Sequence, residues 1–206
     1  MWHMETDRYG RRIALFGGSF DPVHIGHLVI ASAAAAQFSL DEVVFVPARR
    51  SPLKPPCEAT PSQRAAMLKL AIADEERCGL TEEELCRAEP SYTWDTVSAA
   101  RRRDPDARIF LIVGEDAFAG LEQWRCAADI AREVTFLVAP RTGAAVAQPA
   151  IPVRAERIEM PRLEISSTLI RESVRRGAPI RYLVPEPVRD YIGREGLYGP
   201  RHPSGD

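Results

Sequence analysis

The stretch Ile13-Ala-Leu-Phe-Gly-Gly-Ser-Phe-Asp-Pro-Val-His-Ile-Gly-His-Leu-Val-Ile30 decides how the rest of the chain is read. A short apolar run breaks at two glycines and resumes as a helix carrying two histidines. Residues 12–16 read as a buried strand, apolar and ended by the Gly pair. The Ala-rich segment from residue 22 or 25 to residue 37 reads as a helix, with Leu28, Ile30 and Ala31 expected to face a sheet. Gly17 and Gly18 let the backbone turn sharply and approach a ligand with no Cβ in the way, and the next helix start offers N–H groups to an anion. The outline is that of a phosphate site, without the G-x-x-x-x-G-K-[ST] or G-x-G-x-x-G patterns. His24-Ile-Gly-His27 is its distinctive part. Two imidazoles three residues apart share one helix face, and Gly26 keeps that face open.

Outward from this stretch, strands and helices alternate. Residues 43–47 read as a second strand, 49–61 as a Pro-rich basic loop, and 63–78 as a helix opened by Thr60-Pro61. A strand is expected at 85–89 and a helix from Ser91 or Thr93 to 102. A strand at 108–113 ends in Gly114-Glu-Asp116, a helical stretch holds Leu121, Trp124 and Ile130, and a further strand covers 134–139. Residues 140–153 read as loop, 157–160 as extended, and 166–176 as a helix ended by Gly177. Residues 184–188 lead into a last helix reaching Gly196. Such alternation implies a parallel sheet wrapped by right-handed crossovers, with ligands at the carboxyl ends of the strands.

A chain of 206 residues suits one domain, expected at 12–198 with an N-terminal extension at 1–11 and a C-terminal tail at 199–206. The net charge of -2 gives no global attraction for nucleic acid or anionic membrane, so neither is an expected partner and any anion must be held locally. Cys57, Cys78, Cys86 and Cys126 form no C-x-x-C pair and no zinc spacing, which fits reduced thiols. The N-terminus lacks the apolar core of a signal peptide, and no apolar run is long enough to span a bilayer, so a cytoplasmic protein is expected.

Gly17-Gly-Ser-Phe-Asp-Pro-Val-His-Ile-Gly-His27 resembles the signature of the HxGH nucleotidylyltransferase superfamily, and its Gly-Gly-Ser-Phe-Asp-Pro prefix resembles the nicotinate mononucleotide adenylyltransferase family. Further segments match that family in order: Pro90-Ser-Tyr-Thr-Trp-Asp-Thr96, Ile112-Val-Gly-Glu-Asp116, Leu121-Glu-Gln-Trp124 and Ile165-Ser-Ser-Thr-Leu-Ile-Arg171. Tyr182-Leu-Val-Pro, Val188-Arg-Asp-Tyr-Ile192 and Leu197-Tyr198 are similar as well. The resemblance covers nearly the whole chain. It implies a single Rossmann-like α/β domain, with a mostly parallel twisted sheet, helices on both faces and a small C-terminal helical portion.

The implied reaction is adenylyl transfer from ATP to the 5′-phosphate of nicotinate mononucleotide, giving nicotinate adenine dinucleotide and pyrophosphate. Between two polyanions, catalysis rests on alignment and charge stabilisation. The resemblance implies that His24 and His27 donate to ATP phosphates, with Gly17, Gly18, Ser19, Phe20 and Gly26 shaping that site. It assigns Lys54 and Arg171 to phosphate contact and Gly114 and Asp116 to the adenine and ribose. Thr93 would meet the nicotinate carboxylate, Trp124 the pyridine ring and Arg141 the mononucleotide phosphate.

Ser166, Ser167 and Thr168 have a physical case of their own. Serines capping a helix leave N–H groups for phosphates, and Arg171 lies one turn in; an ordinary capped surface helix has the same pattern. Asp116 reads equally as a helix cap, Trp124 as core, and Arg101-Arg-Arg103 as a solvated helix end. Mg²⁺ would enter with ATP, held by phosphates and water, with no dedicated protein ligands and no resident metal.

The chain departs from the family's usual Pro-Pro-His-Lys or Pro-Pro-His-Arg with Ser51-Pro-Leu-Lys54, and has Thr142 where Pro is frequent. Alternatives are the same chemistry on nicotinamide mononucleotide or another phosphate acceptor, a catalytically silent nucleotide-binding module, and a metal-dependent hydrolase. A homo-oligomer is compatible with the sequence.

Overall fold

Uninterrupted apolar runs, residues 13–16 and 109–113, fill the two longest strands, as expected of strands covered on both faces. The computed structural model describes residues 10–50, 55–87, 90–140 and 149–199. The chain runs β1 (Arg12–Gly18), α1 (Ile25–Gln37), β2 (Glu42–Pro47), α2 (Pro61–Ala71), β3 (Cys78–Leu80), α3 (Glu83–Cys86), α4 (Thr93–Arg103) and β4 (Arg108–Gly114). It continues through α5 (Glu115–Ala119), a 3₁₀ turn (Leu121–Gln123), α6 (Ala127–Glu133), β5 (Thr135–Ala139), β6 (Ala155–Arg157), α7 (Ser167–Arg175) and α8 (Glu186–Arg194).

The six strands lie in the order β3-β2-β1-β4-β5-β6, and every pairing among the described residues is parallel. The order reverses between β1 and β4, which opens a crevice at their carboxyl ends. Side-chain alternation divides the sheet cleanly. Ala14, Phe16, Val43, Phe45, Phe110, Ile112, Leu137 and Ala139 pack with α1, α2, α7 and α8 residues such as Ala34, Met67, Ile170 and Val188. Leu15, Val44, Ile109, Leu111, Phe136 and Val138 face Val97, Phe118 and Ile130 on the opposite side. The single α/β layer expected from the alternation is therefore present, with helices on both faces.

Several boundaries differ from those expected. The helix expected to reach residue 78 stops at Ala71, and Cys78–Leu80 instead adds the edge strand β3. Three half-exposed residues carry no periodic signal; backbone pairing with Val43, Val44 and Phe45 makes the strand. Part of the strand expected at 85–89 is helical, because the acidic start Glu83-Glu84 suits a helix N-terminus and Glu84 is buried against Thr96. Residues 88–89 of that segment lie outside the described residues. The stretch around Leu121 breaks into α5, the 3₁₀ turn and α6, with Cys126 left-handed at φ 57. On α1 the buried residues are Gly26, Ala31, Ala34 and Ala35, while Leu28 and Ile30 are half-buried. The extended segment expected at 157–160 begins earlier, as β6. Arg101 is not simply solvated: it donates to Glu133 and to the carbonyls of Pro105 and Ala107. Among the described residues no helix is long and apolar enough to cross a membrane.

Candidate active site

β1 ends on Gly17 and Gly18, and β4, its neighbour, ends on Gly114. A Cβ added at Gly17 or Gly114 would meet nothing within 4 Å, so both strand ends face open space. Gly18 differs, for a Cβ there would sit 2.9 Å from the Phe20 ring. Phe20 is left-handed at φ 49, a costly conformation for a bulky residue. Its ring is 2% exposed and edge-on to Phe16 at 5.6 Å, to Phe45 at 5.5 Å and to His27 at 4.9 Å. Aromatic packing thus holds the turn that carries the chain from β1 to α1.

His24 is the N-cap of α1, and its backbone N–H donates to His27 Nδ1 at 3.2 Å. With Nδ1 accepting, the neutral His27 imidazole carries its proton on Nε2. The two rings stack with centroids 3.7 Å apart. His24 is buried with no partner for Nδ1 among the described residues, and burial lowers its pKa to about 4, so it is neutral at pH 7. A Cβ at Gly26 would lie 3.0 Å from His24 Nδ1. Glycine here admits the His24 ring as well as keeping the helix face open. The α1 start offers fewer N–H groups than its sequence promises, because the Ile25 N–H already bonds the Leu183 carbonyl at 3.0 Å.

The start of α7 meets the same turn. Ser166 Oγ accepts from the Leu169 N–H, Ser167 Oγ donates to the Pro22 carbonyl at 2.9 Å, and Arg171 Nη1 donates to the Asp21 carbonyl at 2.8 Å. Arg171 also donates to Glu58 and reaches Thr168 Oγ1. Across the cleft rim, Arg49, just past β2, donates its N–H to Ser91 Oγ, and the Ser91 N–H returns a bond to the Arg50 carbonyl. That lacing fixes the start of α4, where Tyr92 is the N-cap and Thr93 the first helical residue. Arg125 stacks on the Tyr92 ring at 4.8 Å, so the segment after Trp124 abuts the same helix start. The assembly can surround an anionic ligand with imidazole, guanidinium, hydroxyl and backbone donors. Among the described residues no three His, Cys, Asp or Glu side chains gather as a group able to hold a metal ion.

A cytidylyltransferase-like family model matches residues 15–173. A relative from Synechococcus sp. (strain JA-3-3Ab), named "Probable nicotinate-nucleotide adenylyltransferase", is 42% identical over 93% of this chain and 97% of its own. The chain belongs to the nicotinate-nucleotide adenylyltransferase family. A relative of the same name from Thermus thermophilus is 41% identical, over 91% of this chain and 99% of its own. In fold it resembles a Plasmodium falciparum nicotinic acid mononucleotide adenylyltransferase complexed with NaAD, with a TM-score of 0.77 at 20% identity over 91% of this chain and 97% of that one.

The nicotinate-nucleotide adenylyltransferase motifs are thus spread over a chain whose structure gathers most of them. Gly17, Gly18, Ser19, Phe20, His24, Gly26, His27, Ser166, Ser167, Thr168 and Arg171 come together around one turn. Gly114 joins them across the β1–β4 crevice, and Asp116 is exposed on the first turn of α5. Trp124 is half-buried against the core that includes Phe118 and Leu121. Lys54 and Arg141, with Thr142, lie outside the described residues, as do all but residues 10, 11 and 199 of the expected terminal segments.

Four residues of the site were given no role from the sequence. Asp21 is 4% exposed; its carboxylate accepts the Glu58 and Ala59 N–H groups and the Tyr198 hydroxyl. Burial and the Asp21 charge push the Tyr198 pKa up, keeping it a donor. Arg64 is fully buried and donates to the Ser19 carbonyl at 2.7 Å and the Arg49 carbonyl at 3.3 Å. A signal for Arg64 existed: it falls at helical spacing with the buried Met67 and Leu68, an unusual place for a charge. Glu58 carried no such signal.

Proposed function

We propose that this chain transfers the adenylyl group of ATP to nicotinate mononucleotide, releasing pyrophosphate and forming nicotinate adenine dinucleotide. The observation that carries the reading is the stacked His24–His27 pair on α1, beside the open-faced Gly17 and Gly114 at the point where strand order reverses. The names of its relatives at about 40% identity support the same acceptor.

An oxygen of the mononucleotide phosphate attacks the α-phosphorus of ATP. The bond from that phosphorus to the bridging oxygen breaks, and pyrophosphate leaves with the electron pair. No side chain need give up a proton, so the work falls to fixed donors. In this reading the His27 Nε2–H donates to an oxygen on the α-phosphorus and strengthens as charge builds there, while His24 holds the second position as a neutral donor. Arg171 and the α7 start receive the polyphosphate end, Gly114 and Asp116 the adenosine, and Thr93, Trp124 and Arg141 the mononucleotide. Lys54 would add a further cation for phosphate contact. Mg²⁺ arrives as part of the substrate Mg-ATP. We also place the enzyme in the cytoplasm, where its four free cysteines would stay reduced.

The test is pyrophosphate release from Mg-ATP with nicotinate mononucleotide and, separately, nicotinamide mononucleotide. Turnover with the nicotinate form is expected to exceed that with the amide, in keeping with the names of the relatives. No turnover with either would refute the proposal.

A further inference from the structure

Glu58 stands between the two arginines of α7. Arg171 Nε donates to its Oε1 at 3.0 Å, and Arg175 Nη2 reaches both its oxygens at 2.5 Å. The Glu58 backbone is anchored behind the pair, because its N–H donates to Asp21 Oδ2 at 2.7 Å and Asp21 is itself buried, while the side chain stays on the arginine side. We infer that Glu58 is an internal counter-anion that competes with the polyphosphate of ATP, and with product pyrophosphate, for Arg171 and Arg175. The inference rests on the phosphate-binding role proposed above for α7.

Three features favour a competitor over a fixed support. Arg171 does not depend on Glu58 for its position, since Nη1 bonds the Asp21 carbonyl and Nη2 the Thr168 hydroxyl. A polyphosphate carries more charge than one carboxylate and offers more acceptor oxygens to the two arginine forks. Glu58 also has somewhere to go: it borders a cleft of about 240 Å³ that Arg49, Arg50 and Arg64 line as well. A carboxylate and a phosphate are both acceptors, so the same N–H cannot serve them together without repulsion. Although burial works to raise the Glu58 pKa, the Arg175 hydrogen bond and the charges of Arg175 and Arg171 outweigh it. Glu58 therefore remains ionised at neutral pH. Such a pair occupies the arginines when ATP is absent and draws them back after transfer, weakening the hold on pyrophosphate.

The experiment is calorimetric binding of inorganic pyrophosphate with Mg²⁺ to the full chain and to Glu58→Gln, which keeps the shape and removes the charge. Affinity is expected to rise about fivefold, the scale of a partly exposed ion pair. The KM for ATP should fall by a similar factor with that for nicotinate mononucleotide unchanged. Glu58→Asp, which restores the charge, should return affinity toward wild type. In an Arg175→Gln background, adding Glu58→Gln should give less than half of the gain. Unchanged or weaker pyrophosphate binding by Glu58→Gln overturns the inference, as does an undiminished gain in the Arg175→Gln background. A wild-type chain that binds pyrophosphate but does not turn over ATP with the mononucleotide removes the proposed function and leaves this inference standing.

Discussion

At 6% exposure, with Nδ1 buried and without a partner among the described residues, the His24 imidazole is held neutral and its pKa falls to about 4. In the unfolded chain the same group titrates near 6.5. As pH drops through this window the unfolded chain takes up a proton that the folded one refuses. Stability present above pH 6.5 is therefore lost progressively towards pH 4, by up to about 3 kcal/mol. Urea unfolding across that range should show the loss in wild type and not in His24→Asn; parallel profiles would deny it. His27→Ala should lower kcat by about 10²- to 10³-fold while changing ATP binding far less, because its hydrogen bond strengthens in the transition state. An unchanged kcat in a steady-state assay would remove His27 from the mechanism. These two histidines were legible in sequence as a pair on one helix face. Their difference in burial, His24 buried and His27 half-buried, was not, since it depends on which groups the fold brings around each ring.

α2 does more than cover the sheet. Its Arg64 spans from the turn after β1 to the segment after β2, and so sets the spacing of the two loops on one side of the cleft. Arg64→Met leaves the Ser19 and Arg49 carbonyls short of a donor and should cost about 2–3 kcal/mol in thermal or denaturant unfolding. A neutral result would mean water replaces the guanidinium. Trp124, the residue that ends the 3₁₀ turn, is half-buried, and kinetics separate its two readings, core residue and ring platform. Trp124→Ala should raise the KM for the mononucleotide and leave that for ATP nearly unchanged. Equal effects on both would make it core alone. The long elements α1, β2, β4 and β5 were legible because burial on one or both faces writes itself into their apolar pattern. β3, α3 and the break at Cys126 were not, because each is short and depends on neighbours distant in sequence.

Over the whole molecule, the Tyr198 hydroxyl closes the fold by bonding Asp21 Oδ1 at 2.8 Å across 177 positions. Asp21 in turn fixes the Glu58 and Ala59 backbone, and its carbonyl holds Arg171. Tyr198→Phe removes one donor from a buried carboxylate and should destabilise the chain by about 1–2 kcal/mol in thermal unfolding. Because three parts of the cleft converge on Asp21, the same change should also raise the KM for ATP. Sequence alone determined the alternating α/β class, the glycine turn, the histidine pair and the family, since these depend on local spacing and on motifs read in order. Tertiary structure alone decided the strand order that opens the crevice, the burial that keeps His24 neutral, and the meeting of Asp21, Glu58, Arg171 and Tyr198. Those outcomes depend on which groups become neighbours, and desolvation and hydrogen bonding act on neighbours in space, whatever their separation along the chain.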